Sequence, residues 1–76
     1  MAPKRSPIIL DELGFPTLKG QPLAEGEWLE IRSGGKWQRV FLARSKDRVR
    51  QWVLRFEDNP DLTMLAAKTL ARRRVR

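Results

Sequence analysis

Apolar and polar residues alternate from Glu27 onward. Glu27-Trp28-Leu29-Glu30-Ile31-Arg32 and Trp37-Gln38-Arg39-Val40-Phe41-Leu42-Ala43 flank Ser33-Gly34-Gly35-Lys36. Period-2 alternation on both sides of a Gly-Gly pair predicts a hairpin, because glycine supplies the positive φ angles of a two-residue turn. A turn at Gly34-Gly35 sets Leu29 opposite Val40, Trp28 opposite Phe41, Glu30 opposite Arg39 and Arg32 opposite Trp37. Each pair is apolar, aromatic, ionic or cation–aromatic, and a one-residue slip would scatter them.

A second turn at Asp47-Arg48 leads into Gln51-Trp52-Val53-Leu54-Arg55-Phe56. It sets Phe41 opposite Leu54, Leu42 opposite Val53 and Ala43 opposite Trp52. One face then carries Trp28, Phe41, Trp52, Leu54 and Phe56, and the other Leu29, Ile31, Val40, Leu42 and Val53. Two apolar faces ask for a sheet curled into a small barrel, or one covered by a helix.

The flanking segments read differently. Residues 1–24 hold four of the five prolines and form an N-terminal arm. Within it, Ser6 as cap, Pro7 as first helical residue and Gly14 as stop predict a short helix over residues 7–13. At the other end, Asn59-Pro60-Asp61 is a helix-start pattern, and Leu62, Leu65, Ala66, Thr69 and Leu70 fall on one helical stripe. The alternative keeps Leu62–Leu65 as a fourth strand and begins the helix at Ala66. The expected fold is therefore mainly β with a C-terminal helix. It is a small antiparallel meander or barrel of three or four strands (about 26–32, 37–45, 50–57 and, in the second reading, 62–65) followed by a basic helix. Residues 25–76 form the domain.

Composition narrows the chemistry. The chain has 76 residues, no cysteine and no histidine. Disulfides, thiolate metal sites and the commonest general base are thus excluded. Ser6, Ser33 and Ser45 lack a histidine to activate them, and Gly34-Gly35 is a turn with no following helix to cradle a phosphate. Asp11 with Glu12, and Asp58 with Asp61, sit beside turn residues where capping and solubility account for them. No enzyme, cofactor or metal is expected. The stretch Ile8-Ile9-Leu10 is too short for a signal peptide or membrane span, so a cytoplasmic location is expected.

The net charge of +7 is unevenly distributed. Residues 1–38 carry five basic and five acidic residues; residues 39–76 carry eleven and four, 11 − 4 = +7. Such an excess gathers anionic partners, or simply keeps a small protein in solution.

The order Gly26-Glu27-Trp28-Leu29-Glu30-Ile31, a turn, Trp37-Gln38-Arg39-Val40-Phe41-Leu42, then Trp52-Val53-Leu54-Arg55-Phe56 and Leu70-Ala71-Arg72-Arg73 resembles small bacterial PilZ-like and SH3-like β-barrel domains. The likeness spans residues 25–74 and implies a barrel. PilZ domains bind a cyclic dinucleotide through Arg-x-x-x-Arg and Asp/Asn-x-Ser-x-x-Gly motifs. Arg44 and Arg48 have the first spacing, but the second motif is missing, so nucleotide binding is not implied.

Three functions follow as expectations. The first is a nucleic-acid binder, or a component of a transcription or other nucleic-acid complex. Its aromatic contact is Trp37, and its phosphate contacts are Arg39, Arg44, Arg48, Arg50, Arg55, Lys68, Arg72, Arg73, Arg74 and Arg76. Trp28 and Trp52 are read as core. The second is a protein-binding regulator or inhibitor, of the kind found among small phage and plasmid chains, docking through Ile8, Ile9, Leu13 and Phe15. The third is a cyclic-dinucleotide receptor. A monomer or a homodimer through one sheet face is compatible with each.

Overall fold

Strands take up most of the apolar stretches. The structure, a computed structural model, describes residues 5–48 and 51–73. Among them it contains β1 (Ser6–Leu10), β2 (Pro16–Leu18), β3 (Gln21–Pro22), β4 (Trp28–Ser33), β5 (Lys36–Arg44), β6 (Trp52–Phe56), β7 (Thr63–Leu65) and β8 (Leu70–Arg73). They pair, antiparallel throughout, in the order β3-β2-β1-β8-β4-β5-β6-β7. No helix occurs among the described residues, and none there is long and apolar enough to cross a membrane.

The β4–β5 hairpin has the register its sequence predicts, with Trp28 opposite Phe41, Leu29 opposite Val40, Glu30 opposite Arg39 and Arg32 opposite Trp37. Gly34 and Gly35 take φ of 60° and 76°, both positive as a type I′ turn demands. The next pairing differs from expectation by one residue. Leu42 faces Leu54, Ala43 faces Val53 and Arg44 faces Trp52. The loop is longer than a tight turn at Asp47-Arg48: Gln51 N–H donates to Arg48 O, and Ser45 N–H donates to Gln51 O. Because side chains alternate with period 2, that shift moves Trp52, Leu54 and Phe56 to the face of Leu29, Val40 and Leu42. Leu29, Ile31, Val40, Leu42 and Leu54 thereby share one interior, while Val53 is buried on the other face beside Ala43.

The C-terminal helix expected after Asn59 does not form. Asn-Pro-Asp suits the first positions of a β-turn as well as a helix start. Here Leu62 N–H donates to Asn59 O and closes such a turn. Thr63–Leu65 then pairs with β6, close to the fourth strand of the alternative reading. Ala66-Ala67-Lys68-Thr69 turns with Thr69 N–H on Ala66 O, and Lys68 has φ 68° at its third position. A left-handed residue there ends any helical path. Leu70–Arg73 becomes β8, between β1 and β4.

The expected helix over residues 7–13 is likewise a strand and hairpin. Ile8 and Ile9 are β-branched, and the segment is too short to hold a helix alone. Ile8 pairs with Leu18 and Ser6 with Ala71. At the tip, Asp11 Oδ1 accepts from Leu13 N–H and Phe15 N–H, each at 2.9 Å, and Gly14 takes φ 86°. The arm is therefore part of the domain. The core contains Ile8 and Leu18 from one end of the strand order and Leu42, Trp52 and Leu54 from the other, so the sheet curls around it.

Candidate nucleic-acid interface

With the aliphatics gathered inside, β4, β5, β6 and β8 turn a different set of side chains outward. Residues paired across antiparallel strands share a face, so three rungs can be read from the register. The first is Arg32 with Trp37. The second runs Arg72, Glu30, Arg39. The third runs Trp28, Phe41, Arg55, Thr63. From Trp37 to Phe41 along β5 spans about 13 Å at the ordinary strand rise.

The rungs are stitched together by cation–aromatic and ionic contacts. The Arg72 guanidinium lies 3.4 Å from the Trp37 ring centroid, and Arg32 lies 5.6 Å from it. Arg39 sits 5.4 Å from the Trp28 ring, which meets Phe41 edge-on at 5.0 Å. Arg72 Nε donates to Glu30 Oε1 at 3.0 Å in a largely buried pair. Arg39 Nε is 3.2 Å from Glu57 Oε2 but forms no hydrogen bond, so that attraction is ionic alone. Arg55 donates to Pro60 O at 2.8 Å. In these contacts four arginines meet two glutamates, and Lys46, Asp47 and Asp61 border Arg55 and Thr63 at the β6–β7 end, so the cationic excess lies toward Arg32, Arg39 and Arg72. Trp28 and Trp37 remain 41% and 37% exposed.

The residues expected to contact nucleic acid thus divide. Trp37, Arg39, Arg55 and Arg72 come together on the outer face. Arg44 does not join them: it stacks 4.8 Å from the Trp52 ring and pairs with Glu25 at 3.2 Å. Arg48 is exposed in the loop after β5, and Lys68 is exposed in the β7–β8 turn. Arg73 points to the opposite side from Arg72, where it pairs with Glu27 and reaches Pro22 O. Arg50, Arg74 and Arg76 lie outside the described residues.

Two expectations about exposure change. Ile8 is wholly buried, which removes it from any docking surface, whereas Ile9, Leu13 and Phe15 are exposed, Leu13 at 82%. Trp28, read as core, belongs to the outer face; Trp52 is buried as expected. Arg32 and Phe41 are further members that sequence reasoning missed as contacts. The signal was present in the hairpin itself, since Trp28, Glu30 and Arg32 share one side while Leu29 and Ile31 share the other. The mis-set third strand hid it by adding apolar residues to the Trp28 side.

The sequence's charge asymmetry is also reduced in space. β8 brings Arg72 and Arg73 of the basic half beside Glu30 and Glu27 of the charge-balanced half. Comparison with protein-family models, with curated proteins and with solved structures finds no match.

Proposed function

We propose that this protein is a non-catalytic, cytoplasmic binding module that takes single-stranded nucleic acid across the outer face of β4, β5, β6 and β8, within a transcription or other nucleic-acid complex. The observation that carries the reading is the pair Trp28 and Trp37, both exposed on one face with an arginine against each ring. The core is filled from the other side of the same strands, so packing does not require two indole rings here. Bases stack on exposed aromatics, each worth about 1–3 kcal/mol, while guanidinium groups meet phosphates. The preformed contacts of Arg72 and Arg39 hold the rings in place, which reduces the entropy lost on binding.

The test is fluorescence anisotropy with labelled single-stranded DNA, RNA and duplex DNA across a series of salt concentrations. Affinity for single strands that falls steeply with salt, quenching of tryptophan emission, and weakened binding in Trp28→Ala and Trp37→Ala support the reading. Absence of binding at low salt overturns it. Equal binding of duplex and single strands, indifferent to both tryptophan variants, would leave a purely electrostatic surface and overturn the stacking mode.

A further inference from the structure

A second surface lies away from that face, where β1 and the strand-order end at β7 approach without pairing. Ile8 N–H donates to Thr69 O and Lys68 N–H donates to Ile8 O, so β1 is tied to the β7–β8 turn at Ile8. Beyond Ile8 that tie ends. A cavity of about 380 Å³ is walled there by Leu10, Trp52, Leu65 and Ala67, with Gln51 and Arg48 completing it. A second, of about 360 Å³, shares Leu10, Gln51 and Trp52 and adds the hairpin tip Leu13-Gly14-Phe15 and Arg44. Phe15 and Trp52 meet with centroids 6.4 Å apart.

Three observations converge on the occupant. The lining of the first cavity is chiefly apolar, which suits aliphatic or aromatic anchors, and that of the second is mixed. The ionisable lining residues are both cationic, Arg44, which already pairs with Glu25, and the exposed Arg48, so a carboxylate that reaches Arg48 complements the site. The neighbouring strand offers a free edge. Phe56 N–H donates to Leu62 O and Ala66 N–H to Trp52 O, so Met64, at the intervening position, also turns its main chain toward β6. By alternation Thr63 and Leu65 turn theirs outward. Leu65 O is taken by Thr69 Oγ1 at 2.6 Å, leaving the Thr63 N–H and C=O and the Leu65 N–H at the edge without a partner among the described residues. Exposed edge strands recruit extended segments through such groups.

We propose that this open end is a peptide-docking site, and that it takes an extended acidic segment whose apolar side chains enter the cavities while its backbone pairs with β7. The proposal does not rest on the nucleic-acid reading: neither Trp28 nor Trp37 lines either cavity, although Thr63 and Leu65 of β7 border the outer face.

The experiment is titration of the full chain with a fluorescein-labelled short peptide alternating leucine and glutamate, beside its lysine counterpart, followed by anisotropy and by backbone amide NMR. The expected result is saturable binding of the acidic peptide alone, with shifts at Thr63, Leu65, Gln51 and the Trp52 indole. Arg48→Glu should weaken it roughly tenfold. Thr63→Pro removes the edge donor while leaving the β6-facing groups in place, and should weaken it further; should that variant fail to fold, Arg48→Glu carries the test. Trp28→Ala should leave peptide binding unchanged. No binding up to millimolar peptide, equal binding of the lysine peptide, or shifts confined to Trp28 and Trp37 overturns the proposal. So does concentration-dependent broadening at Thr63 and Leu65 without peptide, which would assign the edge to a second copy of this chain.

Discussion

The two faces of the β4–β5 hairpin are built from neighbouring residues and obey opposite rules. Inward, Leu29, Ile31, Val40 and Leu42 are buried against Leu54 and Ala71, and no polar or charged residue is buried among the described residues. Outward, the alternate positions Trp28, Glu30, Arg32, Trp37, Arg39 and Phe41 combine rings with charges and stay partly open. One backbone serves both because a strand reverses its side chains at every residue. The difference separates stability from the proposed recognition: the aliphatic side holds the fold, and the aromatic–arginine side can change without removing the core.

Substitutions can break that division. The largest effect is expected inside. Leu54→Ala should lower the unfolding free energy by about 2–5 kcal/mol, read from urea melts, because a wholly buried leucine leaves a cavity. Against a total stability of roughly 4–11 kcal/mol for a domain of this size, this approaches unfolding. Trp37→Ala should instead weaken single-strand binding by about 1–3 kcal/mol, with a much smaller shift in the urea midpoint. If the two substitutions exchanged effects, the division of labour would be refuted. A sharper case is Glu30→Gln. It removes the partner of Arg72 and should lower stability by about 1 kcal/mol, yet it should tighten polyanion binding by unmasking a cation. Stability and affinity moving together there would argue against the outer face as the binding surface. The smallest effect is expected at Lys68, whose φ of 68° favours glycine; Lys68→Gly should raise the thermal midpoint slightly, by about 0.5–1 kcal/mol of stability.

The hairpin was legible in the sequence because local chemistry over-determined it. Gly34-Gly35 specified the turn, the turn specified the register, and four cross-strand pairs agreed. The third strand was legible in place but not in register, since the loop before Trp52 contains no comparable glycine pair and its main-chain bonds lengthen the connection. The C-terminal segment misled for two reasons. Asn59-Pro60-Asp61 serves a turn and a helix equally, and the 3.6-residue spacing of Leu62, Leu65, Ala66, Thr69 and Leu70 is broken by a left-handed Lys68 that no local rule anticipates. Tertiary pairing decided both ends: β8 fills the gap between β1 and β4, which neither segment reveals alone. Of the candidate interface, Trp37, Arg39 and Arg55 were visible from spacing, whereas Arg32 was passed over and Arg72 was expected on a helix. Trp28 was not, because its exposure depends on which face β6 completes.

The placement of β8 also dictates when the molecule can exist. Ser6 pairs with Ala71, so nearly the whole length of the described chain separates partners in one ladder. The β4–β5 hairpin can form as soon as its own residues leave the ribosome, but Ile8 has no neighbour on the β8 side until the segment through β8 has been made. Closure of such distant partners is slow, and until it occurs β1 and β4 present unpaired edges to other chains. β8 is thus the strand that covers the facing edges of β1 and β4 and renders them safe from aggregation.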